Sequence, residues 1–354
     1  MNPGDMTHSR PDHTVLANPA AHESYEATPT APHFVLGADI GGSHMVAAIA
    51  ARDGQIVVRR AIRFSPRPDP VLNLTRLFKL LDELLTGVEI GHVAGLALGV
   101  PGTVQHKDGI VTWAPALGWT DLSLASMLTD RYALPALVEN DVNLAALAEH
   151  RHGAGQGTRN MVCVLVGTNI GGGLILNGEL YRGFHGVAGE IGMMIPDPML
   201  FTEEWGDSGC LESFAGGNGI ARRARLLAPS DSAIAVVAGS VNAISAEHVF
   251  QAAREHDQLA QHLVQKTIDY LSLAIANTIC VLDPELIVLG GGVFASSDLV
   301  LEPIRFNVQR VVPAMPHFAL ARFRDDAVLV GALTLAAEAA GWPAGALQFN
   351  HDIH

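Results

Sequence analysis

Lysine is almost absent from this chain: Lys79, Lys107 and Lys266 are the only three. Arginine carries the remaining positive charge, yet Lys and Arg together number 22 against 36 Asp and Glu, a formal net charge of -14. Duplex nucleic acid and anionic membrane surfaces both require a basic face, so neither is expected as a partner. Cysteine is scarce too. Cys163, Cys210 and Cys280 are odd in number and far apart, which excludes a disulfide framework and points to a reducing cytoplasm. No apolar run approaches the ~18 to 20 residues that a spanning helix needs.

The 354 residues suffice for two α/β domains, each with its own core. Residues 1 to 32 hold Pro3, Pro11, Pro19, Pro29 and Pro32 among His, Ser, Thr and acidic residues, without apolar periodicity, and read as a disordered tail. That tail has no continuous apolar segment of a signal peptide, and it is too short and proline-rich for a winged-helix domain. From Phe34 the pattern is strand, glycine turn, strand to Ala50, a turn at Asp53-Gly54 and a third strand through Val58. Val71, Leu74, Leu77, Leu81 and Leu84 then recur at helical spacing, and Val93 to Val100 reads as a buried strand. A helix is expected from Asp121 to Arg131, followed by a short strand at Ala136 to Val138 that leads into another helix.

A second strand-glycine-strand unit starts at Met161, with Thr168 to Gly173 as its turn and Asn177-Gly178 as a two-residue hairpin signal. Its likeness to residues 34 to 58 suggests a duplicated fold with a nucleotide between the halves. Beyond a loop-rich region from 182 to 218, helices are expected near 219–228, 245–256 and 258–281, the last stopped by Asp283-Pro284. A strand from Leu286 to Leu289, a helix from Pro303, a strand at Val328 to Val330 and a final helix from Gly331 to Ala340 complete the pattern, and the last dozen residues are expected to fray.

Two stretches carry chemistry. Asp39-Ile40-Gly41-Gly42-Ser43-His44 ends a buried strand in a turn whose exposed N–H groups can cradle phosphate, with Asp39 placed to hold a hydrated divalent cation. The same residues also fit a simple tight turn between strands. Asp141 sits where a buried strand meets a helix N-terminus, whose dipole favours a charged carboxylate of the kind a general base needs. Helix capping by Asn140 or Asp141 is the structural alternative.

The sequence resembles the ROK family (repressors, open reading frames, kinases) from about Phe34 to Ala340. The resemblance rests on DIGGSH at 39–44, GVPGTV at 99–104, ENDVNLAALAE at 139–149, GTNIGGG at 167–173, YRGFHGVAGEIG at 181–192, GCLESFAGG at 209–217 and DPELIVLGGGV at 283–293. It implies an α/β, two-domain actin-like ATPase (ribonuclease H-like) fold with a cleft between the domains. The first domain would span 33–140, completed by the C-terminal helix near 331–341, and the second 141–330, with 342–354 a frayed tail. It also implies ATP and Mg²⁺ as cofactors, a sugar or cyclitol as substrate, and a homodimer or homotetramer. Asp39 would orient the metal and phosphates, with Gly41, Gly42 and Ser43 as the first phosphate turn. Thr168, Gly171 and Gly172 match the second turn, and Gly290, Gly291 and Gly292 match the glycines beside the adenosine. Asn140, Glu190 and Glu212 match residues that bind ring hydroxyls, and Asp141 matches the catalytic base.

The chain departs from the family pattern at a structural zinc site. The family His is Met193 here, and the cysteine positions hold Glu203, Trp205 and Cys210, so no structural zinc is expected and Cys210 reads as a buried remnant. That His also contacts the sugar in the family, and a thioether offers only a weak acceptor. The expected acceptor is therefore a hexose-like ring altered at one position, a C7-cyclitol or aminosugar of antibiotic biosynthesis, phosphorylated on a primary hydroxyl. An ordinary glucokinase without zinc and a non-catalytic sugar-binding regulator are the alternatives. His44 is a further departure, standing where Lys or Asn is common; His185, near the glycines before Glu190, reads as a solvated loop residue or a cleft residue.

Overall fold

A computed structural model describes residues 32–206 and 208–349. The tail read at residues 1 to 32 lies, apart from Pro32, outside the described residues, as do 350–354. Two compact units emerge, one made of the chain up to Leu144 together with Val328 onward, the other of Ala145–Ala327.

The first unit begins with β1 (Phe34–Ile40), β2 (His44–Ala51) and β3 (Ile56–Arg63), then α1 (Pro70–Leu85) and β4 (Val93–Val100). A separate three-stranded sheet follows, β5 (Thr103–Gln105), β6 (Ile110–Ala114) and β7 (Trp119–Leu122), then α2 (Leu124–Tyr132), β8 (Ala136–Asn140) and α3 (Asp141–His152), of which the first turn to Leu144 belongs to this unit and the remainder to the second. The main sheet runs β3-β2-β1-β4-β8, antiparallel through the meander and parallel from β1 through β4 to β8. Helix α1 starts because Asp69 accepts the Leu72 N–H at 3.0 Å and Pro70 presets the first turn. It buries Leu77, Leu80, Leu81 and Leu84 against Leu36, Ile40, Met45 and Ile49 of the sheet. Each such leucine contributes about 1.5–3 kcal/mol of transfer free energy.

The second unit contains β9 (Met161–Val166), β10 (Ile170–Leu176), β11 (Glu179–Leu180), α4 (Cys210–Ala215), α5 (Gly217–Leu227), α6 (Ala233–Ala238) and α7 (Ala246–Arg254). It continues with α8 (Gln258–Leu282), β12 (Leu286–Gly290), α9 (Ser297–Gln309) and β13 (His317–Leu320), and α10 (Ala327–Ala339) then returns the chain to the first unit. Its sheet runs β11-β10-β9-β12-β13, again an antiparallel meander followed by two parallel strands, so the topology of the first sheet is repeated. Along β9, Val162, Val164 and Val166 face a large helical core with Leu263, Leu271 and Ile275 of α8. Met161 and Cys163 face the other side with Ala146 and Val288, which makes β9 apolar at every position.

Several expectations need correction. Val328 to Val330 belong to α10 rather than to a strand: a short apolar run buried on nearly all sides carries no periodicity to distinguish the two. Asp121 lies within β7, with φ 49°, and α2 begins only at Leu124. Pro303 lies inside α9, which starts at Ser297. The loop-rich region read from 182 to 218 contains α4 and the start of α5. Residues 342–349 do not fray. Trp342, Leu347 and Phe349 are buried, and the Gln348 N–H donates to the Asp53 carbonyl at 3.1 Å. Glycine is required at Gly54 for this approach, since its φ is +93° and a Cβ would lie 2.5 Å from the Gln348 backbone.

Candidate active site

The first glycine turn is built at the end of β1. Ile40 closes the strand, Gly41, Gly42 and Ser43 make the turn, and the Gly41 N–H donates to the His44 carbonyl at 2.8 Å. Asp39 is buried in the middle of the sheet, in register with Val46 of β2 and Gly99 of β4. Its Oδ2 lies 3.3 Å from Nε2 of His44. The imidazole folds back over the turn, close enough that a Cβ on Gly41 would lie 2.7 Å from its Cε1. His44, a departure noted in the sequence, is thus a direct neighbour of the carboxylate.

Asn140 and Asp141 stand where β8 passes into α3. The Asn140 Oδ1 accepts the Asn143 N–H at 3.0 Å, the bond by which a capping residue starts a helix. Asn140 also donates from Nδ2 to the Gly102 carbonyl and to Asp141 Oδ1, each at 3.0 Å, and that Oδ1 accepts the Val142 N–H at 2.8 Å. The capping alternative therefore settles on Asn140, and Asp141 is left in the first turn with its carboxylate held by the dipole and by its neighbour. Gly102 can present its carbonyl here because its φ is +107° and a Cβ would lie 2.1 Å from the Trp113 carbonyl oxygen. Glu139, 1% exposed, supports the pair from below: its Oε1 accepts the Asn140 N–H at 3.0 Å and Asn143 Nδ2 at 2.9 Å. His106 Nδ1 lies 3.1 Å from Glu139 Oε2, but off the line of a directed hydrogen bond. Neither Glu139, Asn143 nor His106 was singled out in the sequence; the residues ENDVN carry the first two, whereas His106 gives no local signal.

In the second unit the turn between β9 and β10 is shorter than the glycine run suggests. The Gly167 N–H donates to the Asn169 carbonyl at 2.9 Å, and Gly171 and Gly172 already lie within β10, paired to Leu165 and Val164. Thr168 is exposed at the turn. Gly172 is glycine for another reason: a Cβ there would meet Ile191 Cδ1 at 2.4 Å, and its N–H donates to the Gly189 carbonyl at 2.8 Å. That contact fixes the segment carrying Glu190. The turn itself is gripped on two sides. The Gly217 and Asn218 N–H groups, opening α5, donate to the Gly167 and Thr168 carbonyls at 2.8 and 3.2 Å. Gly291, φ +88°, passes so close that a Cβ would lie 2.6 Å from the Val166 carbonyl, which brings the 290–292 glycines beside Thr168.

Glu190 and Glu212 meet on the same side of this unit. Glu212 Oε2 accepts the Ile170 N–H at 2.9 Å. Glu190 is exposed and Glu212 half-buried at the surface, and the protein packed around them desolvates both carboxyls enough to raise their pKa; for Glu212 the Ile170 bond opposes the shift and the charge of Glu190 adds to it. Met193 follows in the short helical turn Ile191–Met193 and is 47% exposed. His185 is exposed and stacks edge-on against Phe184. Among the described residues no group of three or more His, Cys, Asp or Glu could hold a metal ion. Cys210 is buried at the start of α4, and the Trp205 ring packs on Phe214, so the residues at the family's zinc positions do not fit a tetrahedral metal.

A ROK family model matches residues 35–339. The chain belongs to the ROK family. It is 34% identical over 307 residues to a glucokinase of Halalkalibacterium halodurans, covering 84% of this chain and 92% of the relative. A glucokinase of Streptomyces coelicolor is 30% identical over 316 residues, covering 86% and 97%. Among solved structures, a ROK glucokinase from Streptomyces griseus in complex with glucose and AMPPNP matches with a TM-score of 0.72 and 30% identity, over 86% of this chain and 99% of that one. The fold is the actin-like ATPase fold of this family, and within the family the chain is a glucokinase-like sugar kinase. Among the described residues no helix is long and apolar enough to cross a membrane.

Proposed function

We propose that this ROK kinase transfers the γ-phosphoryl group of ATP to a primary hydroxyl of a hexose-like ring, with Asp141 as general base. The observation that carries this reading is the division of labour at α3. Asn140 makes the cap bond to the Asn143 N–H and also donates to Asp141 Oδ1, which fixes the Asp141 carboxylate in the first turn, where the helix dipole favours a negative charge. In the proposed step Asp141 takes the proton of the acceptor hydroxyl, the hydroxyl oxygen bonds to the γ-phosphorus, and the bridging bond to ADP breaks. Such transfers depend mainly on positioning and charge neutralisation. Asn140, Glu190 and Glu212 would bind the ring hydroxyls, because a polyol both donates and accepts hydrogen bonds. Gly41, Gly42, Ser43 and Thr168 would receive the phosphates, and Gly290 to Gly292 the adenosine side.

Magnesium suits this donor set: the ion uses one or two carboxylates, waters and substrate phosphates rather than a full protein cage, and Asp39 is such a carboxylate. When bound, it would neutralise charge on the phosphates.

For the acceptor, Met193 favours a ring altered at one position, a cyclitol or aminosugar, because its half-exposed thioether cannot replace a histidine donor. The identity to two glucokinases favours glucose as the second reading. ADP release measured with Mg²⁺ and ATP over glucose, mannose, N-acetylmannosamine, kanosamine, valienone and validone separates them. Turnover of a cyclitol or kanosamine with little on glucose supports the first reading, and strong glucose turnover the second. Asp141→Asn keeps an oxygen for Asn140 and Val142 yet loses the base, so kcat should fall at least about a hundredfold with the fold intact. Wild-type-like turnover in that variant, or no turnover of any panel member by the parent, would refute the proposal.

A further inference from the structure

The segment between Met193 and Gly209 closes on a narrow neck. The Leu211 N–H donates to the Met194 carbonyl at 3.0 Å, and a Cβ on Gly209 would lie 2.1 Å from the Gly192 carbonyl oxygen. Glu190 enters that neck and Glu212 leaves it, so the spacing of these two carboxylates is set where the loop is pinched. A Cβ on Gly192 would lie 3.3 Å from Glu212 Oε2, which shows how little room the neck has.

A closed loop of this size gains conformational freedom unless its far end is tied down. Met199 and Phe201 do not tie it, since they are 81% and 74% exposed. Trp205 does. Its Nε1 donates to the Leu200 carbonyl at 3.2 Å, closing the tip of the loop on itself. Its ring lies 5.4 Å from Phe214 of α4, inclined at 59°, and Phe214 lies 4.8 Å from Tyr270 of α8. Phe214 is two residues beyond Glu212. The indole therefore joins the loop tip to the helix that carries one of the two carboxylates.

We infer that the Trp205–Phe214–Tyr270 stack is an aromatic staple that replaces a metal cross-link in this loop, and that Trp205 is a positioning residue for the Glu190–Glu212 pair. The inference rests on the acceptor-binding role proposed above for those glutamates. The residues at the family's zinc positions are then a working substitution: Trp205 stands at one of the family's cysteine positions and holds the loop by packing and one hydrogen bond. Aromatic pairs at such separations stabilise beyond their buried area, and an indole adds one donor that needs a partner.

The test compares Trp205→Ala, Trp205→Phe and Glu212→Gln with the parent, using glucose as acceptor, or validone if only validone turns over. Trp205→Ala should raise the acceptor KM about tenfold while kcat and the KM for ATP stay within about twofold, and Trp205→Phe should recover most of the loss because it keeps the stack. Limited proteolysis should cut the Ala variant between residues 194 and 206 faster than the parent. Elemental analysis should find no stoichiometric zinc in the parent, and 1,10-phenanthroline should not change its activity. Unchanged acceptor KM in Trp205→Ala, beside a raised one in Glu212→Gln, would overturn the staple alone. Unchanged KM in both would overturn the acceptor site. Stoichiometric zinc, or activity lost to phenanthroline and restored by zinc, would overturn the staple even if the Ala variant failed to fold.

Discussion

Replacing Gly331 by alanine should damage both stability and turnover. On helix propensity alone the change is favourable by about 1 kcal/mol, because Gly331 lies within α10. Packing opposes it. A Cβ at this position would lie 2.0 Å from the carbonyl oxygen of Leu144, 2.5 Å from its carbon and 2.9 Å from its Cα. All three are backbone atoms of α3, so no rotamer change relieves the clash, and the two helices must part by about 1 Å or more. Overpacking of this kind typically costs about 1–3 kcal/mol, which outweighs the propensity gain. Leu144 is three residues beyond Asp141, one helical turn, so the displacement reaches the proposed base. A misplacement of about 1 Å can lower kcat by about a hundredfold. Circular dichroism melting together with steady-state kinetics reads both effects, and Gly91→Ala, where no atom lies within 4 Å of the added carbon, is the control. A Gly331→Ala protein that melts at or above the parent temperature with unchanged kcat would refute the reasoning.

Two further outcomes concern carboxylates of the second unit. Glu149, 0% exposed, accepts the Arg322 and Phe323 N–H groups on Oε1 at 2.7 and 2.9 Å and the Ala154 N–H on Oε2 at 3.0 Å. Glu149→Gln sets an amide N–H₂ against one of these donors and should cost roughly 2–3 kcal/mol, read as a lower melting temperature; an unchanged melt would contradict the three-way grip. For Glu190 and Glu212, partial desolvation raises both pKa values, so protons bind them at higher pH than an ordinary glutamate. If the charged forms accept the ring hydroxyls, kcat/KM for the acceptor should fall on acidification in a window above the usual carboxylate range. A limb at the ordinary Glu value would speak against this desolvation in the working enzyme.

How much of this was legible in the sequence depends on how local the cause is. The two meanders could be read because their inner strands β1, β2, β9 and β10 are largely apolar, each meander carries a glycine turn, and Asn177-Gly178 takes the left-handed conformations that such a hairpin requires. Asn140 and Asp141 could be read as a pair, but not which of them caps α3, because the capping bond depends on Gly102 holding the amide from 38 residues away. The sheet of β5, β6 and β7 escaped notice because its strands of three to five residues are too short to show alternation. Gly172 looked like part of a phosphate turn, whereas its missing side chain makes room for Ile191 and Gly189, a long-range reason that no local pattern reveals. The buried tail at Trp342, Leu347 and Phe349 was missed for the same reason: isolated apolar residues among glycine and proline acquire meaning only from the surface they cover.

The return of α10 to the first unit has a consequence for synthesis on the ribosome. Residues 145–327 form a continuous unit and can complete their core as they emerge, whereas the earlier-made strands β1 to β4 wait for a helix encoded at the far end of the message. That helix lies directly against them: Cβ atoms on Gly37 and Gly99 would meet Leu333 and Val328 at 2.7 and 2.5 Å. At the usual ~5–20 residues per second the wait is roughly 10–40 s. During it one face of the first sheet is uncovered, and the nascent chain must be shielded from its neighbours until the last helix arrives.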